Sequence, residues 1–154
     1  MGCGKNRVES ASEGCVCDIL KEIVDAQNDV SNDCNSSCEE SISDLMGDRG
    51  NTNRDTVPVI LYCKDCKPFK GFGARRNEID KIRESFIFRV KEVDEDCECA
   101  LLELLVTPHS SEECHIKSPS DQDTSNLRAT GICITVDLNC FCHITCLPAI
   151  NARA

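Results

Sequence analysis

Fourteen of the 154 residues are cysteine, about nine per cent, the level at which a short chain is organised around sulfur chemistry. They stand at positions 3, 15, 17, 34, 38, 63, 66, 97, 99, 114, 133, 140, 142 and 146, mostly in close pairs. Three chemistries use such a set: disulfides within or between chains, a four-thiolate metal site, and a redox-active dithiol. The densest run is CFCHITC. As a strand of period two it places Cys140, Cys142 and Cys146 on one face with Ile144, and Phe141, His143, Thr145 and Leu147 on the other. An inward thiol face would bridge to other parts of the subunit, whereas an outward or edge face would meet a second chain. Full pairing of fourteen cysteines allows about 10⁵ connectivities, so spacing alone does not choose among them.

The metal reading rests on Cys63-x-x-Cys66, a ligand-knuckle spacing, with Cys97 and Cys99 completing a tetrahedral zinc site. Against it, the second pair is C-x-C and no second C-x2-C knuckle occurs. The redox reading uses Cys63 and Cys66 as a thiol-disulfide oxidoreductase pair after the strand VPVILY. That chemistry wants the first cysteine at a helix N-terminus, which lowers its pKa, but Pro68, Gly71 and Gly73 follow it and no βαβ pattern surrounds it. GFGARR has two of the three glycines of a dinucleotide fingerprint and opens no helix. DQDTSN at 121–126 starts like a calcium loop but lacks its sixth-position glycine and twelfth-position glutamate. His109, His115 and His143 have no nucleophile motif to serve as base. No catalytic residue, cofactor or resident metal is assigned, and the chain reads as a non-enzyme.

The elements that position these cysteines follow from periodicity. Residues 15–31, CVCDILKEIVDAQNDVS, carry Val16, Ile19, Leu20, Ile23, Val24 and Val30 at helical spacing, with Asp18, Glu22, Asp25 and Asp29 on the other face. The stripe predicts a helix face turned to a core; two heptads are too few for a coiled coil. Ser37 and Glu40 have capping-box spacing ahead of Ile42, Leu45 and Met46, which predicts a short second helix. GDRGNTNRDT at 47–56 reads as a loop. Five strand-like runs follow: VPVILYC (57–63), FIFRVKEV (86–93), CALLELLV (99–106), GICITVDL (131–138) and CFCHITCL (140–147). Of the connections, TPHSSEECHIKSPSDQDTSN is expected to be the mobile one. Helices first and strands afterwards, with no βαβ alternation, predict an α+β fold: an N-terminal amphipathic helix and then a mainly antiparallel sheet, sandwich or barrel-like. The domain reading is a flexible segment at 1–14, one cysteine-rich domain at 15–150 and a tail at 151–154.

Charge narrows the partners. The net charge of −10 argues against nonspecific nucleic-acid binding, which needs lysines and arginines to displace counterions from phosphates. It is unevenly spread: residues 1–56 hold 5 basic and 12 acidic residues, 57–93 hold 9 and 5, and 94–154 hold 3 and 10. A basic middle between acidic ends can serve self-association. No window approaches the about 18 apolar residues of a membrane span, and MGCGKNRVESASEG has no apolar core of a signal peptide. Asn6 stands where a myristoylation motif wants Ser or Thr. The chain is thus expected to be made in a cytoplasm, whose thiol pools oppose disulfides. Five Phe, one Tyr and no Trp make a thin aromatic core, so cross-links or neighbours are expected to supplement it.

CVCD ahead of an amphipathic helix, DTVPVILY with a following FG turn, FIFRVKEV leading to CALLELL, and above all CITVDLNCFCHITCL resemble the CotY/CotZ/ExsY family of cysteine-rich bacterial spore coat and exosporium proteins. The resemblance covers most of residues 13–150, and its C-terminal segment is the specific part. It implies a structural protein of the outer endospore layers that self-assembles into an ordered sheet and is cross-linked by disulfides, with itself and other cysteine-rich coat or exosporium proteins as partners. It points to Cys15, Cys17, Cys34, Cys38, Cys133, Cys140, Cys142 and Cys146 as the shared framework; Cys97, Cys99 and Cys114 complete the cross-link candidates. The Cys63/Cys66 pair has no counterpart in the family pattern. A mother-cell origin also removes the compartment conflict: thiols stay reduced until that cell lyses, so docking precedes oxidation and exchange can correct mispairing.

Overall fold

A computed structural model describes residues 15–27, 34–47, 53–108 and 115–153. The expected flexible segment 1–14, Cys3, His109, Cys114 and residues 28–31 of the predicted first helix lie outside these. The chain divides into two compact units, Met1–Cys34 and Asn35–Ala154. In the first, helix α1 runs Cys15–Gln27. Its apolar stripe was expected to face a core, yet no residue of α1 is buried, and Val16, Ile19, Leu20, Ile23 and Val24 are all exposed.

The second unit holds the rest of the fold. Helix α2, Cys38–Leu45, starts as its capping signal predicts: the Ser37 hydroxyl accepts from the Glu40 N–H at 3.1 Å, satisfying an orphan donor of the first turn. Seven strands follow among the described residues: β1 Val59–Cys63, β2 Gly71–Gly73, β3 Arg83–Ser85, β4 Phe88–Val93, β5 Cys99–Val106, β6 Arg128–Asp137 and β7 Phe141–Cys146. Five form one antiparallel sheet in the order β6-β5-β4-β1-β7, and β2 and β3 form a separate hairpin. All five runs read from the sequence are strands of that sheet, so the fold is α+β.

The sheet is not flat. β6 and β7 lie at its opposite edges, yet only the 3-residue 3₁₀ turn Leu138–Cys140 separates them. Asp137 is opposite Cys99, and four residues later Phe141 is opposite Cys63 on β1. So short a link can span the sheet only if the sheet curls and staggers its strands, as closing barrels do. The core confirms the curl. One apolar cluster draws on all five strands: Val59 and Leu61, Phe88, Leu102 and Leu104, Ile132 and Val136, with Phe141 and Cys146 packed against it. Phe69 enters the same cluster, with ring centroids 5.6 Å from Phe88 and 5.3 Å from Phe141. A second cluster on the other face contains Ile60, Phe86, Ile87, Leu105, Leu127 and Ala152.

The β2–β3 hairpin lies on the curled sheet through its glycines. A Cβ on Gly71 would sit 2.7 Å from Ile134 Cδ1 and 2.8 Å from Phe88 Cε1, and one on Gly73 would collide with Ile132 Cγ2. Polar pins hold the periphery. Ser85, fully buried, accepts from Gln122 Nε2 at 2.8 Å and donates to the Leu105 carbonyl at 2.6 Å, while Gln122 Oε1 accepts from the Phe86 N–H at 2.9 Å. Residues 115–126 of the connection expected to be mobile are therefore tied to the core. Asp55 accepts from the N–H of Ala152 at 2.9 Å and of Arg153 at 3.3 Å, fastening residues 152–153 beside the start of the sheet. Burial pushes the Asp55 carboxyl up, but the Thr56 hydroxyl, these two N–H groups and the nearby Arg89 charge together hold it below the usual aspartate value.

Two outcomes follow. Gly71→Ala and Gly73→Ala each overpack the interface and are expected to cost about 1–3 kcal/mol, read as a lower urea midpoint at unchanged slope. Asp55 titrates lower folded than unfolded, so its contribution is complete above the ordinary carboxylate range and is lost as pH falls through the depressed value. Asp55→Asn should therefore lower stability at neutral pH and flatten the acid limb of stability against pH; identical acid limbs for both proteins would refute the assignment.

Candidate functional site

The chemistry-bearing residues gather where the short 3₁₀ turn crosses between the sheet edges. On one side, the β4–β5 turn is wrapped around Asp94, whose carboxylate accepts from the N–H groups of Glu98 at 2.7 Å and Cys99 at 3.1 Å, with Cys97 in the left-handed region at φ 55°. The Glu98 carbonyl accepts from the Leu138 N–H at 2.7 Å, tying that turn to the 3₁₀ segment. On the other side, Cys63 ends β1 and a tight turn follows, closed by the Cys66 N–H on the Cys63 carbonyl at 2.9 Å, with Cys66 at φ 69°. Left-handed backbone at a non-glycine residue marks sharp, locally strained turns, and both of these carry a cysteine.

Between the two turns stand Cys140 and Cys142. The β1–β7 register runs Leu61 to Ile144 and Tyr62 to His143, then slips so that Cys63 faces Phe141. Cys142 is the extra residue of this bulge, and bulges re-aim side chains. Its Sγ lies 3.1 Å from the Cys63 carbonyl oxygen and 3.9 Å from His143 Nδ1. His143 is stacked on Tyr62, with ring centroids 3.7 Å apart and planes at 14°. The single thiol-lined face read from CFCHITC is thus broken up: Cys140 belongs to the 3₁₀ turn, Cys142 to the bulge, and Cys146 packs toward the core at the far end of β7.

Cys146 is bonded to Cys38, joining β7 to α2 across 108 residues, with a Cα–Cα distance of 4.8 Å. The buried Ser41 hydroxyl donates to the Leu147 carbonyl at 2.7 Å beside it. Cys15 is also disulfide-bonded. The free cysteines among the described residues are Cys17, Cys34, Cys66, Cys97, Cys99, Cys133, Cys140 and Cys142, all exposed, and Cys63, half-buried. Cys133 lies on β6, the other sheet edge.

Cys63, Cys66, Cys97 and Cys99 border the same crossing but form no ligand set: among the described residues no three His, Cys, Asp or Glu side chains are placed to hold a metal ion. Nor does Cys63 resemble an activated nucleophile. Burial first, then Asp65 and the neighbouring Cys140 and Cys142, push its thiol up, opposite to the lowering that arms an attacking cysteine. The sequence groups Cys63 with Cys66, and in the metal reading with Cys97 and Cys99; its approach to Cys142, 79 residues away, leaves no spacing signal. No described helix is long and apolar enough to cross a membrane.

A curled antiparallel sheet, an internal disulfide to a capped helix and a group of exposed thiols define a cysteine-rich α+β protein. The family model for spore coat protein Z matches residues 1–149, and the chain belongs to that family, one of structural coat proteins. It is similar to spore coat protein Z of Bacillus subtilis (strain 168), with 34% identity over 142 residues, covering 88% of this chain and 90% of that protein. No solved structure matches.

The Cys38–Cys146 bond closes a long loop, so Cys38→Ser is expected to lower stability under oxidising conditions by about 2–4 kcal/mol. The difference from wild type should vanish in reductant; a difference that persists there would show that the cost comes from packing and not from the bond.

Proposed function

We propose that this chain is a building block of the bacterial spore coat that assembles noncovalently into an ordered two-dimensional lattice, later locked by disulfides within and between chains. Its partners are further copies of itself and other cysteine-rich coat or exosporium proteins. The observation that carries this reading is the division among the cysteines. Cys38 and Cys146 are joined inside the second unit, whereas the exposed thiols of that unit occupy more than one place, Cys133 on the β6 edge and the group around the 3₁₀ turn, and Cys17 is exposed on α1 of the first unit. A sheet of subunits needs contacts in more than one direction, and thiols in more than one place supply a fastener for each.

The edges support the same reading. The Leu138–Glu98 hydrogen bond sets the phase of the β5–β6 ladder, so the backbone groups of Cys133 and Thr135 point away from β5 toward the outer edge. Such an edge is a template for pairing with another chain. Synthesis in the mother cell keeps these thiols reduced while copies dock, and lysis then exposes the docked layer to oxidant.

Purified protein oxidised after assembly is expected to run as a ladder of multimers without reductant and as monomer with it, and to show ordered arrays by negative-stain microscopy that outlast reduction. Monomer in both lanes would overturn the cross-linking; arrays that dissolve promptly in reductant would show that disulfides, not noncovalent contacts, set the geometry.

A further inference from the structure

Cys63 has an unusual position among the thiols. Its register partner on β7 is Phe141, so Cys140 and Cys142 flank it in sequence on the neighbouring strand. Directly opposed residues on antiparallel strands sit about 4.5–5.5 Å apart, so flanking positions fall near the about 4.4–6.8 Å that a disulfide spans. The bulge turns Cys142 back onto Cys63, whose carbonyl is 3.1 Å from the Cys142 sulfur. Phe141 is anchored in the core against Phe69, which fixes the backbone on both sides of it while Cys140 and Cys142 stay exposed. Cys140 and Cys142 both lie near enough to the Cys63 thiol to push it up, after burial and Asp65.

We propose that Cys63, Cys140 and Cys142 form a three-thiol exchange site, in which Cys63 closes an intrachain disulfide with one of the two β7-side cysteines and leaves the other free. In the first step two thiols give up two protons and two electrons to a disulfide oxidant such as oxidised glutathione, which leaves as two thiols. In the exchange step the remaining thiolate attacks the Cys63 sulfur of that bond, forms the alternative bond and expels the former partner as thiolate, with no net electron transfer. His143 Nδ1, 3.9 Å from the Cys142 sulfur, is placed to exchange a proton with it. The bond would staple β1 to β7 at the end opposite Cys146, so the edge strand would be held at both ends. The thiol left over faces solvent; only its use by another chain rests on the cross-linked lattice reading.

The test is disulfide mapping of the full-length protein, reduced, then oxidised at high dilution with oxidised glutathione, trapped in acid, alkylated and cleaved with trypsin. Lys64 separates Cys63 from Cys66, so their peptides are distinct. Residues 129–153 form one tryptic peptide that holds Cys133, Cys140, Cys142 and Cys146, so fragment-ion sequencing locates the bond: in the monomer fraction Cys63 should be linked to Cys140 or Cys142, and a link to Cys133 or Cys146 would overturn the site. The link should persist in Cys140→Ser and in Cys142→Ser, and disappear in Cys63→Ser with both β7-side thiols alkylated. A Cys63–Cys66 bond, a Cys140–Cys142 bond, or alkylated Cys63 in the monomer would overturn the site. The two single β7-side variants keep the test valid if Cys63→Ser fails to fold. A linked monomer that gives no multimer ladder supports this site and defeats the lattice cross-linking; a ladder with alkylated Cys63 in the monomer does the reverse.

Discussion

The structure depends on one geometric constraint: three residues, Leu138–Cys140, join strands at opposite edges of a five-stranded sheet. A flat sheet of that order would separate its edges by four strand spacings, about 19 Å, and the turn must also absorb the stagger between Asp137 and Phe141. Curling brings the edges together. It creates an inside, where residues of all five strands meet in one cluster, and an end, where the β4–β5 turn, the 3₁₀ turn and the turn after β1 converge. The thiols of Cys63, Cys66, Cys97, Cys99, Cys140 and Cys142 border that crossing because their turns do.

The same curl compensates for the shortage of aromatic side chains. Five Phe and one Tyr are few for this length, but Phe69, Phe88 and Phe141 converge inside the curl and contribute ring contacts beyond their buried area. Gly71 and Gly73 let the short hairpin lie directly on that interior. Buried polar groups are all matched among the described residues: Ser85 with Gln122 and Leu105, Ser41 with Leu147, and Glu103 with the Gly131 N–H at 2.8 Å and the flanking Arg89 and Lys91. These pins join segments far apart in sequence, so the short helix, the 115–127 connection and the C-terminal residues belong to the same cooperative unit as the sheet.

Much of this architecture was legible locally. The five long strands follow from runs of Val, Ile, Leu, Phe and Thr, and α2 from its Ser37–Glu40 cap, because these signals act over a few residues. The β2–β3 hairpin left no such signal: GFG is three residues long, and its glycines make sense only with Ile132, Ile134 and Phe88 beneath them. The polar 115–126 stretch looked unstructured because Gln122 and Ser85, 37 residues apart, form a bond that composition does not encode. The apolar stripe of Cys15–Gln27 is enough to specify a helix, but periodicity specifies a face and not what covers it.

For the cysteines the division is similar. Their number, their close pairing and the CITVDLNCFCHITCL segment were enough to place the chain among spore coat proteins, since family membership is carried by residue identity and order. Which sulfurs meet was not written there. Cys38 finds Cys146 across 108 residues, Cys142 turns onto Cys63 through a bulge, and Cys140 leaves the strand altogether. Sequence determines local propensity and the chemistry available at each position; partner choice depends on register and on the curl of the sheet, which arise only when distant strands pack into one core.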